Sequence, residues 1–239
     1  MLFYVGLHQP SDANKFDRAF ISINRIRGRK KPLGATYWIM DSGAFTEVST
    51  YGQYRSDVAD YAREVNRWNH DSSLVAAVSQ DWMCEPWILQ KTGLTVADHQ
   101  RLTIERYEAL LQLVPKIRIL PVLQGYLTDD YLAHVDQYGA RLPQGAYVGV
   151  GSICKRNTDV GQIENILASI KRKRPDLRLH GFGLKTTALA SQAVRICLYS
   201  ADSMAWSFSA RKQGRNRNCW REAARFAERI EDLAWNDTQ

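Results

Sequence analysis

Strand-forming apolar runs that end in a polar residue or a glycine recur along this 239-residue sequence. The first covers residues 37–40 and leads into Asp41 and a Ser42-Gly43 turn, so a buried strand presents a carboxylate at its end. Four further runs end in the same manner, at residues 74–81, 117–125, 146–151 and 198–202. An aspartate in such a place can simply cap a turn, and it is the repetition that favours a shared functional edge.

Segments with helix-type patterns lie between these runs. The clearest covers residues 53–68, where Tyr54, Val58, Tyr61, Val65 and Trp68 share one helical face. Thr95 begins a capping box, and a closing helix starts near Trp220. Residues 2–7 and 177–183 are two more strands, and the stretch around Phe16, Phe20 and Ile23 is amphipathic.

The alternation of strands and helices predicts an α/β fold with parallel strands and crossover helices. Seven or eight such units favour a (β/α)8 TIM-type barrel over an open sheet. Only seven strands are visible, so we expect the barrel to be irregular. Because the sequence has no linker, repeat array or low-complexity segment, we predict one barrel domain over residues 1–239.

Composition restricts the class of protein. The chain is 45% hydrophobic, which is enough for a sizeable core. Its apolar runs are far shorter than the roughly 18 to 20 residues that span a bilayer, and no signal segment opens the sequence. We therefore expect no membrane association and a cytoplasmic location, in the host cytoplasm if a phage encodes the protein. The oligomeric state stays open.

The cysteines are too far apart in the sequence to predict a structural metal site. No Cys-x-x-Cys pair occurs, and the five histidines are equally scattered, so neither a zinc site nor a disulfide framework is predicted. We expect reduced thiols, no metal and no cofactor. The four cysteines are Cys84, Cys154, Cys197 and Cys219.

Basic residues exceed acidic ones, which gives a formal charge of +7 and a pI of about 9.3. The excess is concentrated in residues 25–31, 171–174 and 211–217. One such run is commonly a solvated patch. Three in a chain of this length favour a polyanionic partner such as nucleic acid.

The carboxyl ends of the strands in a parallel barrel open onto one face, where active sites lie. Carboxylates, a carboxamide and glycine backbone at that face suit a flat, hydrogen-bonding ligand such as a purine. Two carboxylates in one pocket can also act as nucleophile and as acid or base. The strand-end residues expected to converge are Asp41, Asp81, Gln124, Gly149, Gly151, His180, Gly181, Gly183 and Asp202.

Several of these strand ends lie in short sequence motifs that occur in the same order in one enzyme family. These motifs resemble those of the tRNA-guanine transglycosylases, which are (β/α) barrels that exchange guanine for a 7-deazaguanine. They lie at residues 41–45, 81–86, 123–125, 148–151 and 181–183. Extended to 41–46, 80–86, 121–125, 148–157, 180–183 and 201–207, they are similar to the DpdA branch, which acts on DNA. The resemblance spans most of the chain.

The resemblance implies a role for each matched residue. Asp202 would attack the sugar C1′ as nucleophile, and Asp41 would be the acid/base that handles the proton of the base. A 7-deazaguanine such as preQ0 would replace guanine in DNA. The substrate-binding residues would be Ser42, Phe45 (stacking on the base), Asp81, Gln124, Gly149, Gly151 (reading its edge), His180, Gly181 and Phe182 (lining the other wall).

Two features differ from the tRNA enzymes. Their nucleophile lies a few residues further along, where this chain has Ala205, and their cysteine-rich zinc subdomain has no counterpart after Asp202. Without that subdomain, we predict that the DNA backbone is bound by Arg211, Lys212, Arg215 and Arg217.

A base inside a duplex must be flipped out to reach such a pocket. Cations from all three basic runs at the mouth would hold phosphates. Trp82 or Trp206 could fill or flank the gap, although core packing is the favoured role for each tryptophan. Base exchange on tRNA and a catalytically silent nucleic-acid-binding barrel stay open as alternatives. A phosphate-sugar barrel enzyme is disfavoured, since the late strands lack a glycine-rich phosphate cradle.

Overall fold

The structure, a computed structural model, describes residues 1–156 and 159–236. Parallel strands form a nearly closed, TIM-like barrel, which confirms the predicted fold class. The strands are β1 (Leu2–Gly6), β2 (Arg18–Ser22), β3 (Tyr37–Asp41), β4 (Leu74–Val78), β5 (Ile119–Leu120), β6 (Val122–Leu123), β7 (Tyr147–Val150), β8 (Arg178–Gly181) and β9 (Ser200–Ser203).

The order of strands around the sheet is β5-β4-β3-β2-β1-β9-β8-β7-β6. Its two end strands, β5 and β6, are consecutive segments separated only by Pro121. β5 pairs with β4 and β6 pairs with β7, so this one stretch of chain bridges the two sides of the ring. Proline has no N–H to donate to a ladder, which explains why the stretch is divided into two short strands.

Helices connect the strands and form the outer layer. They are α1 (Ile23–Ile26), α2 (Ala44–Tyr51), α3 (Val58–Asn66), α4 (Pro86–Thr92), α5 (Val96–Leu113), α6 (Thr128–Tyr138), α7 (Val160–Lys173), α8 (Thr186–Leu189), α9 (Gln192–Cys197), α10 (Ala205–Lys212) and α11 (Trp220–Asn236). Thr95 forms the predicted capping box with Asp98 at the start of α5. Short 3₁₀ helices cover Pro10–Lys15, Gly139–Arg141 and Cys154–Arg156.

Alternating residues of the strands fill two separate cores. One core lies between the sheet and the helices, and the other fills the inside of the barrel. The buried residues of the inner core are Tyr4, Ile39, Ala76, Val78, Leu120, Val122 and Tyr147. Because side chains alternate along a strand, these positions fix which later residues point into the mouth.

The strand missing from the sequence analysis is β2, in the stretch interpreted as amphipathic. Phe16, Phe20 and Ile23 are spaced like one face of a helix, and this spacing was misleading. The true period is two: Ala19 and Ile21 are fully buried in the outer core, and Phe20 packs against the inner one. β2 pairs with both β1 and β3 and so supplies the eighth position of the barrel wall.

None of the helices in the described part of the chain has both the length and the apolar composition needed to cross a bilayer.

Candidate active site

The mouth of the barrel is lined by residues that continue the inward-pointing positions of the strands. Asp41 follows Ile39 at the inward spacing of two, and Gln124 follows Val122. Asp202 is opposite Tyr4 in the pairing of β9 with β1. The predicted site residues on inward positions are Asp41, Gln124, Gly149, Gly151, His180, Phe182 and Asp202.

Asp41 ends β3 directly opposite Ser22 of β2. Burial raises the pKa of Asp41 to about 6, while hydrogen bonds from the Ser22 side chain and from the backbone of Gly43 and Ser42 lower it. The negative charge of Asp202 also raises this pKa. The two carboxylates, which are far apart in sequence, therefore interact electrostatically within one mouth.

Asp202 lies on β9 and is 5% exposed. Its Oδ1 atom lies 3.2 Å from His180 Nε2 and accepts a hydrogen bond from the Gly183 backbone N–H at 3.1 Å. Ala205, at the place that the tRNA enzymes use for their nucleophile, begins α10 beyond the strand. Asp202 is thus the acid that the end of this strand presents.

A second carboxylate, Asp81, is linked to a polar network across the mouth. Gln124 Nε2 donates a hydrogen bond to Asp81, and Gln124 Oε1 accepts one from Ser152 Oγ at 2.7 Å. Ser152 Oγ also lies 3.0 Å from Glu85 Oε2 and accepts from the Cys84 N–H at 2.9 Å. The network places carboxylate and amide groups where they can read the donor and acceptor edge of a purine.

Burial is also the main influence on Asp81 and raises its pKa to about 7, against the lowering effect of the Gln124 hydrogen bond. The charges of Asp41 and Glu85 raise it further. A carboxyl whose pKa is higher in the folded state stabilises the fold at low pH, and this contribution is lost as pH rises through the folded pKa. Stability should therefore fall between pH 5 and pH 8.

Replacing Asp81 by Asn should flatten this pH dependence. We expect the free energy of unfolding of the wild type to drop by about 3 kcal/mol more than that of Asp81→Asn between pH 5 and pH 8. Urea unfolding at both pH values measures the difference. Asp129→Asn, at an exposed position, is the control and should follow the wild type. The same change in the free energy of unfolding between pH 5 and pH 8 for wild type and Asp81→Asn would contradict the prediction.

Gly149 and Gly151 allow other side chains to enter the mouth. A Cβ on Gly151 would lie 2.1 Å from Gln124 Nε2, and one on Gly149 would lie 2.2 Å from the Phe182 ring. Gly181 differs, because its Cβ direction faces Leu184 and Leu198 in the outer core. Gly181 therefore does not face the mouth, which follows from strand alternation between His180 and Phe182.

Phe45 and Ser42 lie on the segment that leaves Asp41. Phe45 is 45% exposed and packs edge-on against Trp87, which is 43% exposed, with ring centroids 6.3 Å apart. The Ser42 hydroxyl is buried and has no hydrogen-bond partner among the described residues. An exposed aromatic pair and an unpartnered buried hydroxyl beside Asp41 suit a ligand with a flat ring and polar edges.

Three residues that the sequence analysis did not single out contact this site. Ser22 lies on the strand that was not recognised, and Trp87 opens α4 after Pro86. Ser152 adopts a left-handed conformation, with φ of 55°, which is unusual for a residue other than glycine. Two of them left a signal in sequence: Trp87 is an aromatic residue in a proline-containing loop after a strand, and Ser152 lies in the motif at 148–157.

Two of the three basic runs reach the mouth. Burial lowers the pKa of His8, which follows β1, and the charges of Arg25 in α1 and Arg217 after α10 lower it further, so both arginines lie near His8. Arg211 and Lys212 flank the exposed ring of Phe208 on α10, and the predicted DNA contact Arg215 pairs with Glu222. We refer to Arg25, His8 and residues 211–217 as the basic rim.

The third run, residues 171–174, lies at the opposite end of the barrel, which corrects the expectation that all three runs flank the mouth. α7 returns antiparallel to the strands, so its carboxyl end is far from their carboxyl ends. Lys171 donates to the carbonyls of Pro175 and Leu177, Lys173 pairs with Asp136, and Arg174 pairs with Asp176. These cations cap a helix end and hold surface ion pairs.

Trp82 and Trp206 belong to the packed interior. They are 7% and 4% exposed, and Trp206 donates to the Gly6 carbonyl at 2.9 Å. Core packing is therefore their role in this structure. Across residues 1–156 and 159–236, no group of His, Cys, Asp and Glu side chains is arranged to hold a metal ion.

Comparison with protein families gives a match over nearly the whole chain. The model of the family described as DpdA, DeoxyPurine in DNA protein A, matches residues 1–236, nearly the whole chain. No curated protein matches the sequence.

Proposed function

The chain belongs to the DpdA family, and on that premise we propose that it exchanges guanine in DNA for a 7-deazaguanine such as preQ0. The family takes part in deoxypurine (7-deazaguanine) modification of DNA, and membership implies a DNA modification enzyme of transglycosylase type. The observation that carries the finer proposal is the interaction of Asp41 with Asp202 in one mouth.

In the first step, a carboxylate oxygen of Asp202 attacks C1′ of the target nucleotide. The bond from C1′ to guanine N9 breaks, and its electrons leave with the base, which takes a proton from Asp41. A covalent ester between Asp202 and the sugar remains, and Asp41 is left as a carboxylate. The raised pKa of Asp41, about 6, suits an acid that must be partly protonated near neutral pH.

In the second step, N9 of the incoming 7-deazaguanine attacks C1′ from the side that guanine left. Asp41 accepts the N9 proton, and the bond between C1′ and Asp202 breaks so that its electrons restore the carboxylate. Both catalytic acids return to their starting state without a cofactor. Asp81 and Gln124 hydrogen-bond the edge of either base, and Phe45 with Trp87 stacks against its face.

The DNA backbone binds at the basic rim in this proposal. The target nucleotide leaves the stack at a cost of a few kcal/mol, and cations that hold the flanking phosphates offset that cost. The basic rim lies along β9, β1 and β2 of the mouth, whereas Phe45 and Trp87 follow β3 and β4. Phosphates and base would therefore be held on neighbouring sectors of one opening.

Charge reversal at the basic rim should weaken DNA binding. We expect Arg25→Glu and Arg217→Glu each to lower affinity and to reduce the slope of log K against log salt concentration by about one. Arg172→Glu, an exposed residue of the run at the opposite end, is the control and should bind as the wild type does. Binding titrations over a range of salt measure both quantities. Equal losses of DNA affinity in all three variants would show that the DNA does not bind at the basic rim.

Incorporation of labelled preQ0 tests the function itself. The wild-type protein is incubated with labelled base and duplex DNA, single-stranded DNA or tRNA, and label in each nucleic acid is counted. We expect label in DNA and none in tRNA. Label in tRNA alone would favour the tRNA reaction. Absence of label from all three, together with tight DNA binding, would favour a barrel that only binds nucleic acid.

A further inference from the structure

A chain of buried polar side chains lies beneath Asp202 inside the barrel. Tyr147 Oη is 2.6 Å from Ser200 Oγ, and Ser200 Oγ is 2.8 Å from His180 Nδ1. His180 Nε2 then lies 3.2 Å from Asp202 Oδ1. The four residues stand on the adjacent strands β7, β8 and β9, where His180 pairs in register with Ser200. The barrel wall itself therefore sets these distances.

The Asp202 carboxylate fixes the direction of the hydrogen bond that it shares with His180. A carboxylate can only accept, so His180 must donate its Nε2–H to Asp202. In a neutral imidazole, Nδ1 is then an acceptor, and it lies within reach of two hydroxyls that can donate to it, Ser200 Oγ at 2.8 Å and Tyr147 Oη at 3.2 Å. Burial raises the pKa of Tyr147, so its hydroxyl keeps its proton. Ser200 and Tyr147 thus support the tautomer of His180 that the Asp202 carboxylate requires.

The His180 ring is also held in place sterically. It is fully buried and stacks on Phe20 with centroids 5.6 Å apart and an interplanar angle of 17°. Phe182 meets it edge-on at 4.8 Å. An apolar side chain would fill this space without the cost of burying polar atoms. The polar chain ends at the carboxylate that the proposed function uses as nucleophile.

We propose that His180 is a positioning residue for Asp202, not a wall of the base pocket. This inference rests on the proposed function. The Nε2–H of His180 and the N–H of Gly183 both reach Oδ1, which leaves Oδ2 as the oxygen that attacks C1′. In the ester, Oδ1 becomes the carbonyl oxygen. When the incoming base attacks C1′ and the bond to Oδ2 breaks, the same two donors stabilise the carboxylate that leaves.

Single-turnover formation of the covalent protein–DNA adduct, followed on denaturing gels, tests the inference. We expect His180→Leu to slow adduct formation at saturating DNA by about 10- to 100-fold, since a misplacement of a reacting group by about 1 Å can cost about 100-fold in rate. His180→Gln, whose amide keeps an N–H near the position of Nε2, should recover about tenfold of that loss. The dissociation constant for DNA should stay unchanged in both variants.

A milder pair of variants covers the case in which His180→Leu does not fold. Ser200→Ala removes the closer of the two hydroxyls that face His180 Nδ1 and should slow adduct formation about tenfold without a change in DNA affinity. The matched control is Ser79→Ala, which removes a buried hydroxyl that has no partner among the described residues and should leave the rate unchanged.

The outcomes separate this inference from the proposed function. If the wild type forms no adduct with DNA, the proposed function fails. If the wild type forms the adduct and Ser200→Ala forms it at the same rate, only the positioning role fails. Equal losses in Ser200→Ala and Ser79→Ala, or in His180→Leu and His180→Gln, would also overturn it, since such losses would reflect packing alone.

Discussion

Replacing Asp202 by Asn is expected to abolish both base exchange and the covalent adduct, with a loss of about four orders of magnitude or more. Asparagine keeps an oxygen that can accept hydrogen bonds from His180 and Gly183, so the fold should be retained. What it lacks is a charged oxygen that can attack C1′. The rate of labelled preQ0 incorporation and the yield of adduct measure the loss, and thermal unfolding of both proteins checks the fold.

The adduct also identifies the nucleophile directly. Proteolysis of the trapped wild-type complex, followed by mass spectrometry, should place the sugar on the peptide that contains Asp202. Attachment to Asp41 or Asp81 would move the nucleophile to another strand end. An adduct of normal yield in Asp202→Asn would rule out the assigned role.

Replacing Asp41 by Asn is expected to lower the rate of guanine release from DNA by about 10²- to 10⁴-fold, the usual range for losing a general acid. The size of this loss of rate should depend on the leaving base. 7-Methylguanine already carries a positive charge and can leave without a proton from the enzyme. DNA that contains 7-methylguanine should therefore restore most of the rate to Asp41→Asn, after subtraction of spontaneous loss, and none to Asp202→Asn.

The pH dependence of the wild type gives a second measure of the same role. Asp41 has a pKa of about 6, so its protonated fraction falls about tenfold per pH unit above that value. The kcat/KM for guanine release should decline accordingly above about pH 6, and that for 7-methylguanine should not. A decline that is the same for both bases would assign the titration to another step.

The parallel barrel and most of the mouth could be predicted because strand ends leave a clear record in sequence. Apolar runs that end in Asp41, Gln124 or Asp202 require only that the strands be parallel for these side chains to gather at one face. The same reasoning placed Asp81 near them. Their electrostatic coupling in the structure agrees with this expectation.

The features that sequence analysis missed depend on the period of the apolar residues, the direction of a crossover helix and the register of paired strands. β2 was missed because Phe16, Phe20 and Ile23 have the spacing of one face of a helix. The strand in fact begins between Phe16 and Phe20, at Arg18. Residues 171–174 were placed at the mouth although a crossover helix ends at the opposite face. The contact of His180 with Ser200 depends on the pairing of β8 with β9, which no local pattern reveals.

The position of residues 171–174 has a practical use. That end of the barrel already holds its cations in contacts with Asp136, Asp176 and backbone carbonyls, and the side chain of Arg172 is exposed there. A tether attached through position 172 would orient every immobilised molecule with its opening toward solution. The duration of each binding event on long DNA could then be measured on single immobilised molecules. The anchor would not block the mouth where the DNA substrate binds.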